Sequence, residues 1–160
     1  MNLAVYTGSF DPITLGHLNV IQRASRISDR LIVGIGVNSD KRGLFEPQER
    51  IDLAEQVTAD MSNVEVQSFE GLAVDFVSST GAQIMVRGIR PLTDTAGEFT
   101  MMMANRKLNP ELETVFLMAD GQYAHVSSSL IKQLTPLASD QQLAEFVPSI
   151  VIPALRKKLK

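Results

Sequence analysis

The chain has 160 residues, of which 44% are hydrophobic, with 18 acidic and 15 basic side chains and no cysteine. This length suffices for one globular core, and the lack of cysteine excludes disulfide scaffolds, thiol nucleophiles and cysteine-built zinc or iron–sulfur sites. The net charge of −3 is scattered, so there is no basic stripe for nucleic acid, and no apolar run approaches the roughly 20 residues of a membrane span. The first residues lack the features of a signal peptide, which predicts a cytoplasmic protein without membrane or nucleic-acid partners.

Short β-branched and aliphatic runs alternate with segments of helical period along the chain. The runs predicted as strands are 3–6, 31–37, 64–69, 83–86 and 115–118. Between them, apolar residues spaced by three predict amphipathic helices; Pro47 marks the start of the second helix and Gly81 the end of the third. The pattern predicts an α/β fold. We expect a single Rossmann-like domain over residues 1–160, with a five-stranded parallel sheet, helices on both faces and a C-terminal capping helix.

In such sheets, ligands bind beyond the carboxyl ends of the strands, so polar residues that follow strands are candidate site residues. The first strand leads into Gly8, and a helix opens at Thr14-Leu15-Gly16-His17. Gly8 permits close backbone approach to a ligand, and the amides of a helix start favour phosphate. His17 could donate a hydrogen bond to an oxygen on phosphorus as negative charge builds there, or it could simply cap the local backbone.

Basic side chains follow the second and fourth predicted strands. Lys41 lies in a polar loop, where it could reach a substrate phosphate or remain a solvated surface residue. Arg87 and Arg90 follow a buried apolar run and need anionic partners there. Those partners are either a phosphate ligand or the nearby carboxylates of Asp94 and Glu98.

A serine-rich segment follows the last predicted strand. Ser127, Ser128 and Ser129 at a helix start supply a cap and hydroxyl donors at the edge where a triphosphate would lie. The chain has no Gly-x-Ser-x-Gly elbow, which argues against a nucleophilic serine.

Taken together, these motifs resemble those of the nucleotidyltransferases that carry a (T/H)xGH signature and a second, serine-rich signature, and most closely the bacterial phosphopantetheine adenylyltransferases. The segments that carry the resemblance are Gly8-Ser9-Phe10-Asp11-Pro12, Thr14-Leu15-Gly16-His17, Arg87-Gly88-Ile89-Arg90 and Val126-Ser127-Ser128-Ser129. The resemblance implies transfer of the adenylyl group of ATP to 4'-phosphopantetheine, giving dephospho-coenzyme A and pyrophosphate in the penultimate step of coenzyme A biosynthesis. It also implies in-line attack without a covalent intermediate, Mg²⁺ bound with ATP, a homohexamer and feedback by coenzyme A.

The resemblance also assigns individual residues, position by position. His17, Lys41 and Arg90 would be catalytic, through charge stabilisation around the α-phosphorus and the departing pyrophosphate. The ATP site would comprise Ser9, Phe10, His17, Gly88, Ile89, Arg90, Glu98, Tyr123, Ala124, His125, Val126, Ser127, Ser128 and Ser129. The phosphopantetheine site would comprise Ser9, Lys41, Ala73 and Arg87. No side chain is assigned as a metal ligand.

The segment Asp94-Thr95-Ala96-Gly97 departs from the aromatic-rich, acidic pattern usual in this family, and a glycine in a helix interior costs about 1 kcal/mol relative to alanine. Three other functions stay open. The first is an adenylyl- or cytidylyltransferase of the same fold with another phosphorylated acceptor. The second is a nucleotide sensor without turnover, and the third is a hexameric scaffold.

Overall fold

A computed structural model describes residues 2–38, 40, 42–90 and 94–159. Its centre is one parallel sheet of five strands: β1 (Leu3–Gly8), β2 (Arg30–Val37), β3 (Val64–Glu70), β4 (Ile84–Ile89) and β5 (Glu113–Met118). Their order across the sheet is β3-β2-β1-β4-β5. The predicted α/β fold class and its parallel sheet are therefore confirmed.

The helices are α1 (Leu15–Ile27), α2 (Pro47–Thr58), α3 (Ala73–Ser79), α4 (Thr95–Leu108), α5 (Ser128–Leu134), α6 (Asp140–Leu143) and α7 (Ile152–Lys158). Their ends follow local chemistry. Thr14 caps α1, Pro47 is the first residue of α2, and Gly81 follows α3 with a φ of 79°, which a residue without Cβ adopts readily. None of the helices described is long and apolar enough to cross a membrane.

The fourth strand is longer than predicted, because 83–86 was expected and the strand continues to Ile89. Arg87, Gly88 and Ile89 pair in register with residues 116–118 of β5, so pairing with a neighbouring strand extends β4 beyond its apolar run. Consecutive strand residues point to opposite faces of a sheet. Arg87 and Gly88 therefore lie on different sides of the sheet.

Apolar side chains cover both faces of the sheet. Ala4 and Tyr6 of β1 belong to the larger core, with side chains of α1, α2 and the C-terminal helices, whereas Val5 belongs to a smaller core with Val74 and Val77 of α3. The alternation along β1 explains why this strand reads as a continuous apolar run. The chain moves outward from β1 to β3 and then returns to place β4 on the other side of β1. The strand order thus reverses between β1 and β4, which is where a parallel sheet opens a crevice for a ligand.

Gly97 belongs to the segment 94–97 that departs from the family pattern, and the sequence predicts that a glycine there destabilises the helix. The structure places it in the first turn of α4, exposed, with no neighbouring atom within 4 Å of the position that a Cβ would take. Gly97→Ala should therefore raise the free energy of unfolding by about 0.5 to 1 kcal/mol, because alanine loses less backbone entropy on folding. Urea unfolding measures this change. Gly34→Ala is the contrasting variant, since its Cβ would lie 2.6 Å from the Phe76 ring and should destabilise the protein. A loss of stability in Gly97→Ala would contradict the helical geometry of this turn.

Candidate functional site

A cavity of about 240 Å³ opens at the carboxyl ends of β1 and β4, and we call it the α1–α5 cavity. Its walls come from the end of β1, the first turns of α1, the end of β4 and the segment that leads into α5. The lining residues are Tyr6, Thr14, Gly16, His17, Val20, Gly88, Ile89, Arg90, Asp94, Ala119, Tyr123, Val126, Ser127, Ser128 and Ser129. The structure thus brings together most of the residues predicted to bind ATP.

His17 lies in the first turn of α1 and lines this cavity. The ring Nδ1 of His17 accepts a hydrogen bond from the backbone N–H of Thr14 at 3.1 Å. The backbone N–H of His17 donates to Thr14 Oγ1 at 3.3 Å. The backbone capping considered from the sequence is therefore present. It also leaves Nε2 as the ring nitrogen that carries the proton, because Nδ1 is used as an acceptor.

The charge state of His17 follows from its surroundings. Burial, with a further contribution from the Arg90 and Arg87 guanidiniums, lowers its pKa to about 4. The imidazole is consequently neutral near pH 7. In the free protein it presents a single N–H donor to the cavity.

This pKa predicts an acid-sensitive stability. An unfolded chain takes up a proton at histidine near pH 6.5, whereas the native state does so only near pH 4, so the free energy of unfolding should fall on acidification through this window. The His17 contribution to this fall should be about 2 kcal/mol between pH 7 and pH 4.5, measured by urea unfolding. His17→Gln should lose less stability than the wild type over the same interval. Identical pH dependence in both proteins would show that burial does not keep His17 neutral.

Arg90 ends the β4 segment beside the cavity and is paired with Asp94. Its Nε and Nη2 donate to the two carboxylate oxygens of Asp94 at 2.8 Å each, and its backbone N–H donates to Asp94 at 3.2 Å. The Asp94 hydrogen bonds raise the pKa of Arg90 further, so the guanidinium stays charged. An anion that enters the α1–α5 cavity would meet the Arg90 guanidinium and would compete with the Asp94 carboxylate for its hydrogen bonds.

Arg87 points to the other face of the sheet and is paired with Glu98. Its Nε and Nη2 donate to Glu98 at 2.8 and 2.7 Å, and Nη1 donates to the backbone carbonyl of Thr7 at 2.6 Å. These groups line a second cavity of about 70 Å³, the β4–α4 cavity, together with Ala73 and apolar side chains of α4. Arg87 and Ala73, both predicted to bind phosphopantetheine, therefore lie together. Glu98, predicted with the ATP residues, lines this second cavity instead.

The turn after β1 carries Ser9 and Phe10, which the structure places apart from the α1–α5 cavity lining. Ser9 is exposed and lines a third cavity beside α2, whereas Phe10 is buried with its ring against the His17 ring, 5.0 Å between centroids. The neighbouring Asp11 carboxylate accepts hydrogen bonds from the Leu44 and Phe45 amides. Lys41, predicted as a catalytic and substrate-binding residue, lies outside the described residues.

The serine-rich segment forms the wall of the α1–α5 cavity opposite β4. Ser127 caps α5 by accepting from the Leu130 N–H at 3.1 Å, and Ser128 Oγ donates to the Pro12 carbonyl at 2.9 Å. Ser129 is exposed, and its hydroxyl faces no partner among the described residues. Of the other predicted ATP residues, Ala124 is half-buried outside the lining, and His125 is exposed with its ring against Phe146.

Sequence reasoning missed several residues that line the α1–α5 cavity. Tyr6 was interpreted only as part of a strand, and Val20 only as part of a helix. Ala119 follows β5 and carries no polar group that would single it out. Position after a strand could have identified Ala119, but only the packing of α1 against β4 brings Val20 to the cavity.

Comparisons with known proteins identify the family of the chain. Residues 5–134 match the cytidylyltransferase-like family. The chain is 64% identical to a phosphopantetheine adenylyltransferase of Rhodopirellula baltica over 99% of its own length and 89% of the relative's. It is 45% identical to one of Clostridium botulinum, over 99% of this chain and 96% of that one. Among solved structures, a Plasmodium falciparum nicotinic acid mononucleotide adenylyltransferase superposes with a TM-score of 0.59 at 17% identity, covering 98% of this chain and 94% of that chain, a likeness of fold.

Proposed function

The chain belongs to the phosphopantetheine adenylyltransferases of the cytidylyltransferase-like family, and we propose on this premise that it transfers the adenylyl group of ATP to 4'-phosphopantetheine. The products are dephospho-coenzyme A and pyrophosphate, in the penultimate step of coenzyme A synthesis. One observation carries the proposal: a cavity opens on each face of the sheet at the switch point, and the consecutive β4 residues Arg87 and Gly88 line one each. Two substrates can therefore approach the same strand end from opposite faces of the sheet.

We assign ATP to the α1–α5 cavity. Gly88 leaves room there, since a Cβ at this position would lie 2.9 Å from the Tyr6 hydroxyl. His17, Arg90 and the serine segment surround the space with hydrogen-bond donors, as a triphosphate requires.

We assign the pantetheine arm to the β4–α4 cavity. Its lining is mainly apolar, with Ala73, Met101 and Met102, which suits an aliphatic amide chain, and Arg87 at its polar end suits the acceptor phosphate. Ser9, exposed at the turn after β1, and Lys41 would complete the contacts to that phosphate.

The chemistry is an in-line displacement at the α-phosphorus. An oxygen of the acceptor phosphate forms the new bond, and the bond between the α-phosphorus and the bridging oxygen breaks, so that pyrophosphate leaves. The nucleophile is already an anion, so no general base is needed. Catalysis then depends on position and on charge stabilisation: neutral His17 donates from Nε2 to an α-phosphate oxygen, and Arg90 exchanges Asp94 for the departing pyrophosphate.

Mg²⁺ fits this site as a companion of ATP. Among the residues described, no group of three or more histidine or acidic side chains is placed to hold a metal, and the one carboxylate that lines the α1–α5 cavity, Asp94, is paired with Arg90. The ion would therefore be held mainly by the triphosphate, where it neutralises charge on the phosphate oxygens.

We propose a homohexamer that buries the apolar surface of α4. This helix has no buried residue, and it exposes four large apolar side chains: Phe99, Met101, Met103 and Leu108. A short helix that exposes this many large apolar side chains is a candidate interaction surface. Sedimentation velocity measures the assembly, and a monomer at micromolar concentration would contradict it.

We also propose feedback by coenzyme A and a cytoplasmic location. Coenzyme A contains both the pantetheine arm and an adenine nucleotide, so it presents the chemical groups for which both cavities are suited.

Pyrophosphate release tests the acceptor. The protein is incubated with ATP, Mg²⁺ and 4'-phosphopantetheine, beside reactions with nicotinate mononucleotide and, with CTP, glycerol 3-phosphate. Release with phosphopantetheine alone supports the proposal. Release only with another acceptor overturns the substrate, ATP binding without any release indicates a sensor, and absence of both binding and release indicates a scaffold.

A further inference from the structure

Arg50 of α2 is a buried guanidinium behind the turn that follows β1. It is 7% exposed, and its Nη1 donates to two backbone carbonyls, Ser9 at 3.1 Å and Gly36 at 3.2 Å. Its Nε is buried without a partner among the described residues. Arg50 takes part in none of the described ion pairs.

Such an arrangement is costly in a protein interior. A buried charge needs a counter-charge or a full set of hydrogen bonds, and even one unsatisfied buried donor lowers stability. The Asp11 carboxylate lines the same cavity, but it accepts from the Leu44 and Phe45 amides and from the Lys132 ammonium at 3.0 Å. The Arg50 guanidinium therefore donates to backbone carbonyls at the ends of β1 and β2 rather than to a carboxylate.

The turn held by Arg50 contains a strained residue. Phe10 has a φ of 47°, in the left-handed region that bulky side chains rarely adopt, and it is almost fully buried. Such a conformation persists only where the surroundings determine it. Arg50 fixes the carbonyl of Ser9 on one side of Phe10, and the anchored Asp11 carboxylate fixes the other side.

Phe10 in turn contacts His17. The two rings meet edge to face with centroids 5.0 Å apart, while Thr14 holds Nδ1 of the same imidazole. The orientation of His17 thus depends on two contacts, the local capping bond and the Phe10 ring. The second contact is secured from α2.

We propose that Arg50 is a positioning residue for His17, which acts by holding the Ser9 carbonyl and, through it, the left-handed Phe10. Its effect on turnover rests on the proposed adenylyl transfer, whereas its effect on the imidazole does not. Arg50 touches neither reacting group in this assignment.

The experiment compares Arg50→Met and Arg50→Lys with the wild type by two measurements. The first is ¹⁵N NMR of the histidine rings; the chain has two histidines, and a His125→Gln spectrum assigns them. Arg50→Met should shift the ¹⁵N resonances of the His17 ring away from the values of a neutral imidazole protonated only at Nε2. The kcat for adenylyl transfer should fall by about 10- to 100-fold, with little change in KM for ATP. Arg50→Lys keeps a donor for the carbonyls and should restore part of both.

Leu53→Ala is the matched control, since it removes core packing from the same helix and leaves both Arg50 hydrogen bonds in place. It should lower stability and leave the His17 ring nitrogens at their wild-type positions. Wild-type ring signals in a folded Arg50→Met protein, or equal kcat losses in Arg50→Met and Leu53→Ala, would overturn the proposal. If the wild type itself transfers no adenylyl group, the ring signals still decide the role of Arg50.

Discussion

His17→Ala should lower kcat for adenylyl transfer by about 10²- to 10³-fold while the Kd for ATP changes by less than about threefold. The reason is geometric and electrostatic. The Thr14 N–H occupies Nδ1, the low pKa keeps the ring neutral, and the remaining Nε2–H belongs to a residue that lines the α1–α5 cavity. A donor whose partner gains charge in the transition state contributes to rate more than to ground-state binding.

Loss of the helix cap must be separated from loss of the donor, because His17 also completes the capping box of α1. Gln142→Ala is matched for this purpose. It removes the equivalent residue of the capping box on α6, which lines neither cavity, and should cost stability without affecting turnover. Stopped-flow or steady-state pyrophosphate release measures kcat, and calorimetric titration measures ATP binding. If kcat of His17→Ala stays within a factor of about three of the wild-type value, His17 caps the helix and does not contribute to catalysis.

Arg87→Met should raise KM for 4'-phosphopantetheine by about 10- to 100-fold and leave the Kd for ATP almost unchanged. A charge-assisted hydrogen bond of the kind Arg87 can offer a phosphate is worth about 1.5 to 3 kcal/mol, which corresponds to that range. The variant should also lose stability, since it leaves the half-buried Glu98 carboxylate without its bidentate partner.

A second substitution separates these two effects. Combining Arg87→Met with Glu98→Gln should recover part of the lost free energy of unfolding, while KM for the acceptor stays high. Arg30→Met breaks the exposed ion pair with Glu65 at the opposite end of the sheet and should alter neither KM. An unchanged acceptor KM in Arg87→Met would mean that Arg87 serves only as the structural partner of Glu98, the alternative that the sequence leaves open.

Local sequence patterns predicted the fold well because they report interactions that are themselves local. The apolar run Leu3–Tyr6 and the start signals at Thr14 and Pro47 depend on neighbours a few residues away, and the strand and both helix starts are confirmed. The limit of the fourth strand was wrong by three residues, because pairing of Arg87 to Ile89 with β5 is decided by residues about 30 positions further along the chain.

The candidate site divides in the same way. Motifs after strands identified His17, Arg90 and the three serines as a set, since parallel strands bring their carboxyl ends to one edge. The motifs did not show that Arg87 and Gly88 line separate cavities or that Glu98 lies with Arg87. Both facts follow from the alternation of a strand that is longer than its apolar run.

By itself, then, the sequence determined the fold class, the order of the elements and which chemical groups gather at the carboxyl edge, because these depend on periodicity and local capping. Tertiary structure decided how those groups are paired and what charge they carry. The neutrality of His17 arises from burial, and the attachment of Arg50 to the Ser9 carbonyl joins residues 41 positions apart. Asp94 and Glu98 are close in sequence to both arginines, but only the folded structure pairs Glu98 with Arg87 and Asp94 with Arg90. Desolvation and hydrogen-bond geometry arise only once the chain has packed, so a local sequence pattern cannot predict the charge state or the partners of these side chains.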